Sequence, residues 1–173
     1  HRKLHKIAYR RLPSGLKSEL HKTIANAIES IHAGNLEDHY AALSRHWELC
    51  GETPKARKYY LTMARNAVKC YAFHEAESMY RRYLNLVDDP TPETIAIRME
   101  FAKDVLFIRS RFKDALRELS QCREDARAGN EITLESESVR EMADVQVALG
   151  NNEEAISLCN RALKIQRREH DLK

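Results

Sequence analysis

NEEAISLCNRAL, residues 152–163, carries small residues at Ala155 and Ala162 with a thiol, Cys159, between them. FKDALRELSQC, residues 112–122, repeats the phase with Ala115, Leu119 and Cys122, and HEAESMYRRYLNL, residues 74–86, repeats it with Ala76, Tyr80 and Tyr83. The leading alanines stand 39 and 40 residues apart. TPKARKYY, residues 53–60, puts Ala56 in a similar place only 20 residues before Ala76, so its helix serves as second member of one pair and first of the next. A side chain little larger than a methyl group lets two helices approach closely. Tyr60, Tyr80 and Leu119, one turn later, then fill the groove against the following pair. A single pair leaves an apolar face open, and stacking closes it.

Outward from these anchors the apolar spacing is helical throughout. It predicts about eight helices, near 15–33, 36–50, 54–70, 73–87, 92–109, 112–127, 131–149 and 152–168. The punctuation has physical causes. Gly34 is expected to close a helix in the left-handed conformation and Asn35 to cap the next. Thr53-Pro54 and Thr91-Pro92 place a hydroxyl cap before a proline whose missing N–H costs nothing in the first turn. Gly129-Asn130 and Gly150-Asn151 repeat the stop-then-cap pattern.

These residues resemble the tetratricopeptide repeat family, whose pattern sets a glycine at the turn inside the pair, alanine five residues later, an aromatic four after that and alanine three further on. Gly51, Ala56 and Tyr60 match, with Met63 in the last place and Ala64 beside it. Gly150, Ala155 and Ala162 match in the final copy, with Cys159 at the aromatic position. Tyr71 and Ser110 replace the turn glycine in the other two copies. The likeness covers roughly residues 36–168. Its copies are longer than the standard repeat, so other helical solenoids with 40-residue units remain open. The resemblance implies an all-α fold, a right-handed superhelix of antiparallel helix pairs whose concave side is formed mainly by the first helices of the pairs.

A narrower likeness lies in the front half. LHKTIANAIE, from Leu20 to Glu29, and YAALSRHWELCGETPKARKYYLTMARNA, from Tyr40 to Ala67, are similar to the segment that follows the ATPase module in bacterial STAND-type multidomain signalling proteins. There a leucine-histidine pair opens a helix and an Ala-Arg-His-Tyr-like segment runs into the first repeat; Leu20-His21 and Ser44-Arg45-His46-Trp47 occupy those places. This implies that residues 1–33 are the tail of a preceding helical region and 34–173 the repeat array. The opening His1-Arg2-Lys3-Leu4 has no methionine and enters a helical pattern at once through Leu4, Ile7 and Ala8, as an excised piece of a longer chain would.

Composition sets the function classes. At 173 residues the chain is long enough for a real core, and 43% hydrophobic with 32% charged residues is ordinary for a soluble helical protein. No apolar run approaches a membrane span or a signal peptide. The net charge of +3 is mild, but Arg2, Lys3, Lys6, Arg10, Arg11, Lys17 and Lys22 accompany only Glu19, so a nucleic-acid or anionic-lipid contact is the alternative to a solvated face. Cys50, Cys70, Cys122 and Cys159 lack zinc spacing and read as reduced core or edge thiols, which points to a cytoplasmic setting.

No phosphate-binding glycine loop, HExxH or GxSxG string is present. His1 and His5 share a helical face without the carboxylate partners a metal needs, and His39 and His46, seven apart on one helix, flank a packing face. Glu75 with Glu77, Asp88 with Asp89, and Glu153 with Glu154 do not face one another as acid and base. The expectation is a protein that is not an enzyme and uses no cofactor or metal. Trp47, Tyr60 and Tyr80 read as packing residues, with Tyr59, Tyr71 and Tyr83 beside the main stripe. Arg65 and Lys69, with Arg81 or Arg82, form a positive strip suited to an acidic peptide. Arg45, Arg65, Lys69, Lys103 and Arg140 are the candidate peptide-binding surface. The partner is a protein, a peptide or another domain of the parent chain; a structural spacer or oligomerisation role is the alternative.

Overall fold

In the computed structural model, residues 9–171 are described; His1, Arg2, Lys3, Leu4, His5, Lys6, Ile7 and Ala8 lie outside them. No strand occurs among the described residues. The chain divides into two compact units, one up to Asn66 and one from Ala67, with the boundary inside a helix.

The first unit holds α1 (Ser14–Ile31), a 3-10 turn (Glu37–His39), α2 (Tyr40–Leu49) and most of α3 (Thr53–Lys69). α1 and α2 lie antiparallel: Ser18 Oγ donates to the carbonyl of Cys50, and His21 meets His46 one turn along. Ala25, Leu43 and Trp47 are fully buried between the helices. Glu29 Oε1 accepts from Trp47 Nε1 at 3.1 Å and from Tyr59 OH at 2.6 Å, so one carboxylate ties all three helices.

The second unit runs through α4 (Phe73–Asn85), α5 (Pro92–Phe101), a π-helical segment (Ala102–Phe107), α6 (Phe112–Ala128), α7 (Ile132–Ala148) and α8 (Asn152–Asp171). Each helix packs on its neighbours in sequence, and α5 also touches α7. α5 and the π-helical segment that continues it bury two faces: Ile95, Met99, Ala102 and Leu106 on one side, Ile97, Phe101 and Val105 on the other. A helix sandwiched between others needs both.

The alanine anchors are where close packing requires them. Ala56, Ala76 and Ala115 are 0% exposed and Ala155 is 4%. Tyr60, Tyr80 and Leu119 one turn later are buried as well, as are Tyr59 and Tyr83, whereas Tyr71 stands out in solvent. In the first copy Ala64, not Met63, is the fully buried residue. Buried tyrosines keep their hydroxyls bonded: Tyr60 donates to Glu48 and Tyr80 to Glu100.

One turn is used repeatedly. Gly51, Tyr71, Ser110, Asn130 and Gly150 have φ of 82°, 58°, 56°, 58° and 80°. After each, the next N–H reaches back to the carbonyl five residues earlier, as in Glu52 to Trp47 and Asn151 to Gln146. This is the left-handed helix stop that satisfies the last free carbonyls. The turn positions matched by Tyr71 and Ser110 therefore adopt the glycine conformation without being glycine. The α4–α5 connection differs; there Thr91 caps α5 in a reciprocal box with Thr94, ahead of Pro92.

Four local expectations are corrected. Gly34 does not take a left-handed φ, because the chain leaves α1 through backbone bonds and a 3-10 turn. Asn35 bonds the Asp38 side chain and does not cap α2, whose preceding residue is His39. At 129–130 the left-handed residue is Asn130, while Gly129 has φ −81°. Thr53 is the first residue of α3, not its cap; the Glu52 carbonyl already accepts from the Ala56 N–H.

Candidate functional site

The second unit carries a groove along α5, the π-helical segment and α7. Two hollows of about 400 Å³ and 390 Å³ share Lys103, Asp104, Arg140 and Glu141. Ala102, Leu119 and Val145, all nearly fully buried, make part of the lining, with Phe107 beside them and Ile108, 59% exposed, at the edge. The π-helical turn gives the helix an extra residue per loop of hydrogen bonding, a distortion that recurs where side chains must be re-aimed. Lys103, Asp104 and Phe107 all come from that distorted stretch.

Of the residues proposed from sequence, the fold brings Lys103 and Arg140 together. Both are exposed, and both reach Glu141 Oε1, at 3.2 Å from Lys103 Nζ and 3.0 Å from Arg140 Nη2. Arg65 and Lys69 are exposed one turn apart on α3. Arg45 is exposed on α2, close enough to His21 and His46 to disfavour their protonation. Arg81, considered as an extension of the positive strip, is held by Glu77 on its own helix and lies over the Phe101 ring.

The groove's carboxylates escaped sequence reasoning. Glu100 and Asp104 on one side, and Glu137, Glu141 and Asp144 on the other, give five acids against the two cations. Their spacing, four residues, then four and three, marks one face of each helix and was the available signal. Burial raises the Asp104 pKa, and Glu100 and Glu141 add to the effect, against Lys103.

A second ionic cluster is structural. Glu77 accepts from Arg81, from Arg109 at 2.6 Å and from Arg111 through both oxygens, which staples α4 to the turn before α6. Burial works to raise its pKa, yet the bonds from Arg111 and Arg81 prevail and hold it below the ordinary carboxylate value. Asp114 takes the rest of Arg111 and meets Arg117. Cys122 is also structural: buried against the Ile95 carbonyl, its thiol is pushed up to about 12.

No group of three metal-ligating side chains converges among the described residues. No helix among them is long and apolar enough to cross a membrane.

Helical hairpins with small anchors, each closed by the same left-handed turn, make this a helical-repeat protein. Its particular form is tetratricopeptide-like. Two solved structures of the nearly identical TPR-like repeats from a Podosopora anserina protein described as a kinesin light chain share the fold, each with a TM-score of 0.59. One is 17% identical and aligns over 98% of this chain and 96% of that one; the other is 18% identical over 92% and 98%. No protein-family model and no curated protein matches the chain.

Proposed function

We propose that the chain is a docking module, in which the groove along α5 and α7 receives a segment of a partner protein or of another domain of its own parent chain. The observation that carries this reading is the pair of adjoining hollows that share Lys103, Asp104, Arg140 and Glu141, the first with an apolar floor at Ala102, Leu119 and Val145 and both with charged sides. A concave, mostly apolar surface with a few oriented polar groups is what a side chain of a bound peptide needs. Arg45, Arg65 and Lys69 lie on helices outside this groove. The STAND-like strings around Leu20-His21 and Ser44-Trp47 support a regulatory role in a larger cytoplasmic signalling protein. In that protein residues 34–173 form the repeat array and residues 1–33 end the region before it.

The test is a pull-down with this chain, competed by the remaining domains of its parent, followed by backbone amide shift mapping with the captured partner. Shifts concentrated on 103–108 and 140–145 are the expected result. A partner that perturbs other surfaces, or capture of none, removes the groove from its proposed role.

A further inference from the structure

The charge on the groove identifies the kind of segment it fits. Lys103 and Arg140 do not make it basic, because both are committed to Glu141. Glu100 accepts from Tyr80 OH. Asp104, Glu137 and Asp144 make no hydrogen bond or ion pair among the described residues. Asp104 is crowded by Glu100 and Glu141, a like-charge arrangement that an incoming cation would relieve.

Building on the docking role assigned to this groove, we propose that its occupant is a cationic amphipathic peptide segment. An apolar side chain of the segment enters the hollow over Leu119 and Val145, and lysine or arginine side chains flanking it meet Asp104, Glu137 and Asp144. The apolar part alone would select weakly among partners. The carboxylates supply the discrimination, since an acidic segment would meet the uncompensated like charges of Asp104, Glu137 and Asp144. Lys103 and Arg140 take a different role: both neutralise Glu141, which is only 8% exposed, and the Lys103 pair, reaching from the π-helical segment to α7, holds the two sides of the groove in register.

This polarity is opposite to that of the positive strip the sequence suggested on α3. The two surfaces therefore make different demands, and selection against the whole chain separates them.

Random twelve-residue peptides displayed on phage are selected against the full chain. Enriched peptides are then measured by fluorescence anisotropy against three variants. Asp104→Lys with Asp144→Lys reverses the charge, Asp104→Asn with Asp144→Asn neutralises it, and Ile108→Ser removes an exposed apolar contact. Asp144 and Ile108 are solvent-exposed, as is Asp104 by its overall surface although its carboxyl is partly desolvated in the groove, and circular dichroism confirms that the helices are retained. The expected peptides carry net positive charge around an apolar residue. Their affinity falls at least tenfold in the Lys variant and by an intermediate factor in the Asn variant, and it weakens as salt is raised.

Enriched peptides that are neutral or acidic, yet lose affinity in Ile108→Ser, overturn the cationic assignment and leave the docking role standing. If no enriched peptide responds to any of the three variants, both readings fail.

Discussion

His21 Nδ1 and His46 Nδ1 lie 2.8 Å apart across the α1–α2 contact, and Tyr9 OH sits 2.6 Å from His21 Nε2. Two facing Nδ1 atoms bond only while at least one lacks its proton; once both are protonated, donor meets donor. The surroundings already favour the neutral forms. Burial lowers both pKa values, Arg45 lowers them further, and the His21 charge acts on His46. Lys17 over the Tyr9 ring and the Lys22–Glu52 ion pair complete the nearby charges.

The sign follows from linkage. Both histidines titrate below their ordinary 6.5 in the folded chain, so the unfolded chain binds more protons in that window. Their contribution is complete above pH 6.5 and is lost as pH falls through the folded values. A thermal melt series from pH 7.5 to 5 should show Tm declining on the acid side, and His21→Asn with His46→Asn should flatten that segment. An unchanged slope in the double variant would remove the pair as its cause.

The repeated left-handed turn predicts opposite effects at equivalent positions. Gly150 has φ 80° and open space around its Cβ direction, so Gly150→Ala costs backbone strain alone, about 1–2 kcal/mol. Tyr71 sits at φ 58° and is 81% exposed. Tyr71→Gly relieves comparable strain, partly offset by the greater freedom of glycine in the unfolded chain, for a net gain below about 1 kcal/mol. Urea titrations of both variants check the pair of signs.

Ala115 is fully buried one turn into α6. Ala115→Leu inserts three carbons where the helices meet and should cost about 1–3 kcal/mol. Ala115→Gly should cost less, about 1 kcal/mol, because it mainly loses helix propensity. If Leu is tolerated as well as Gly in chemical denaturation, the alanine is not a packing anchor.

Glu29 joins three helices through Trp47 and Tyr59. Glu29→Ala strands two donors and should destabilise the first unit by about 1–3 kcal/mol per unsatisfied group, while Glu29→Gln keeps an acceptor and loses less. Trp47 is the chain's one tryptophan, so its fluorescence follows this unit. Equal losses for the two variants would contradict the hydrogen-bond account.

The helices and the alanine anchors were legible in the sequence because they rest on local causes. The three- and four-residue apolar spacing selects helix, the small residues mark close approaches, and Thr91-Pro92 starts α5. The turn register was legible even at Tyr71 and Ser110, where alignment with Gly51 and Gly150 indicates a glycine-like position that the residue type conceals. Gly34 misled because a glycine permits a left-handed turn without requiring one.

What lay beyond the sequence was every partnership between residues far apart along the chain. The interval from His21 to His46, or from Glu29 to Trp47, says nothing until two helices set their register. The same holds for the groove. Lys103 and Arg140 were identifiable as exposed cations on successive first helices, but only the packing of the π-helical segment beside α7 brings Lys103 onto Glu141, which Arg140 reaches from the preceding position, and leaves Asp104, Glu137 and Asp144 uncompensated. A side chain's type is local, whereas the net charge of a surface depends on which neighbours the fold delivers to it, and here that reverses the sign.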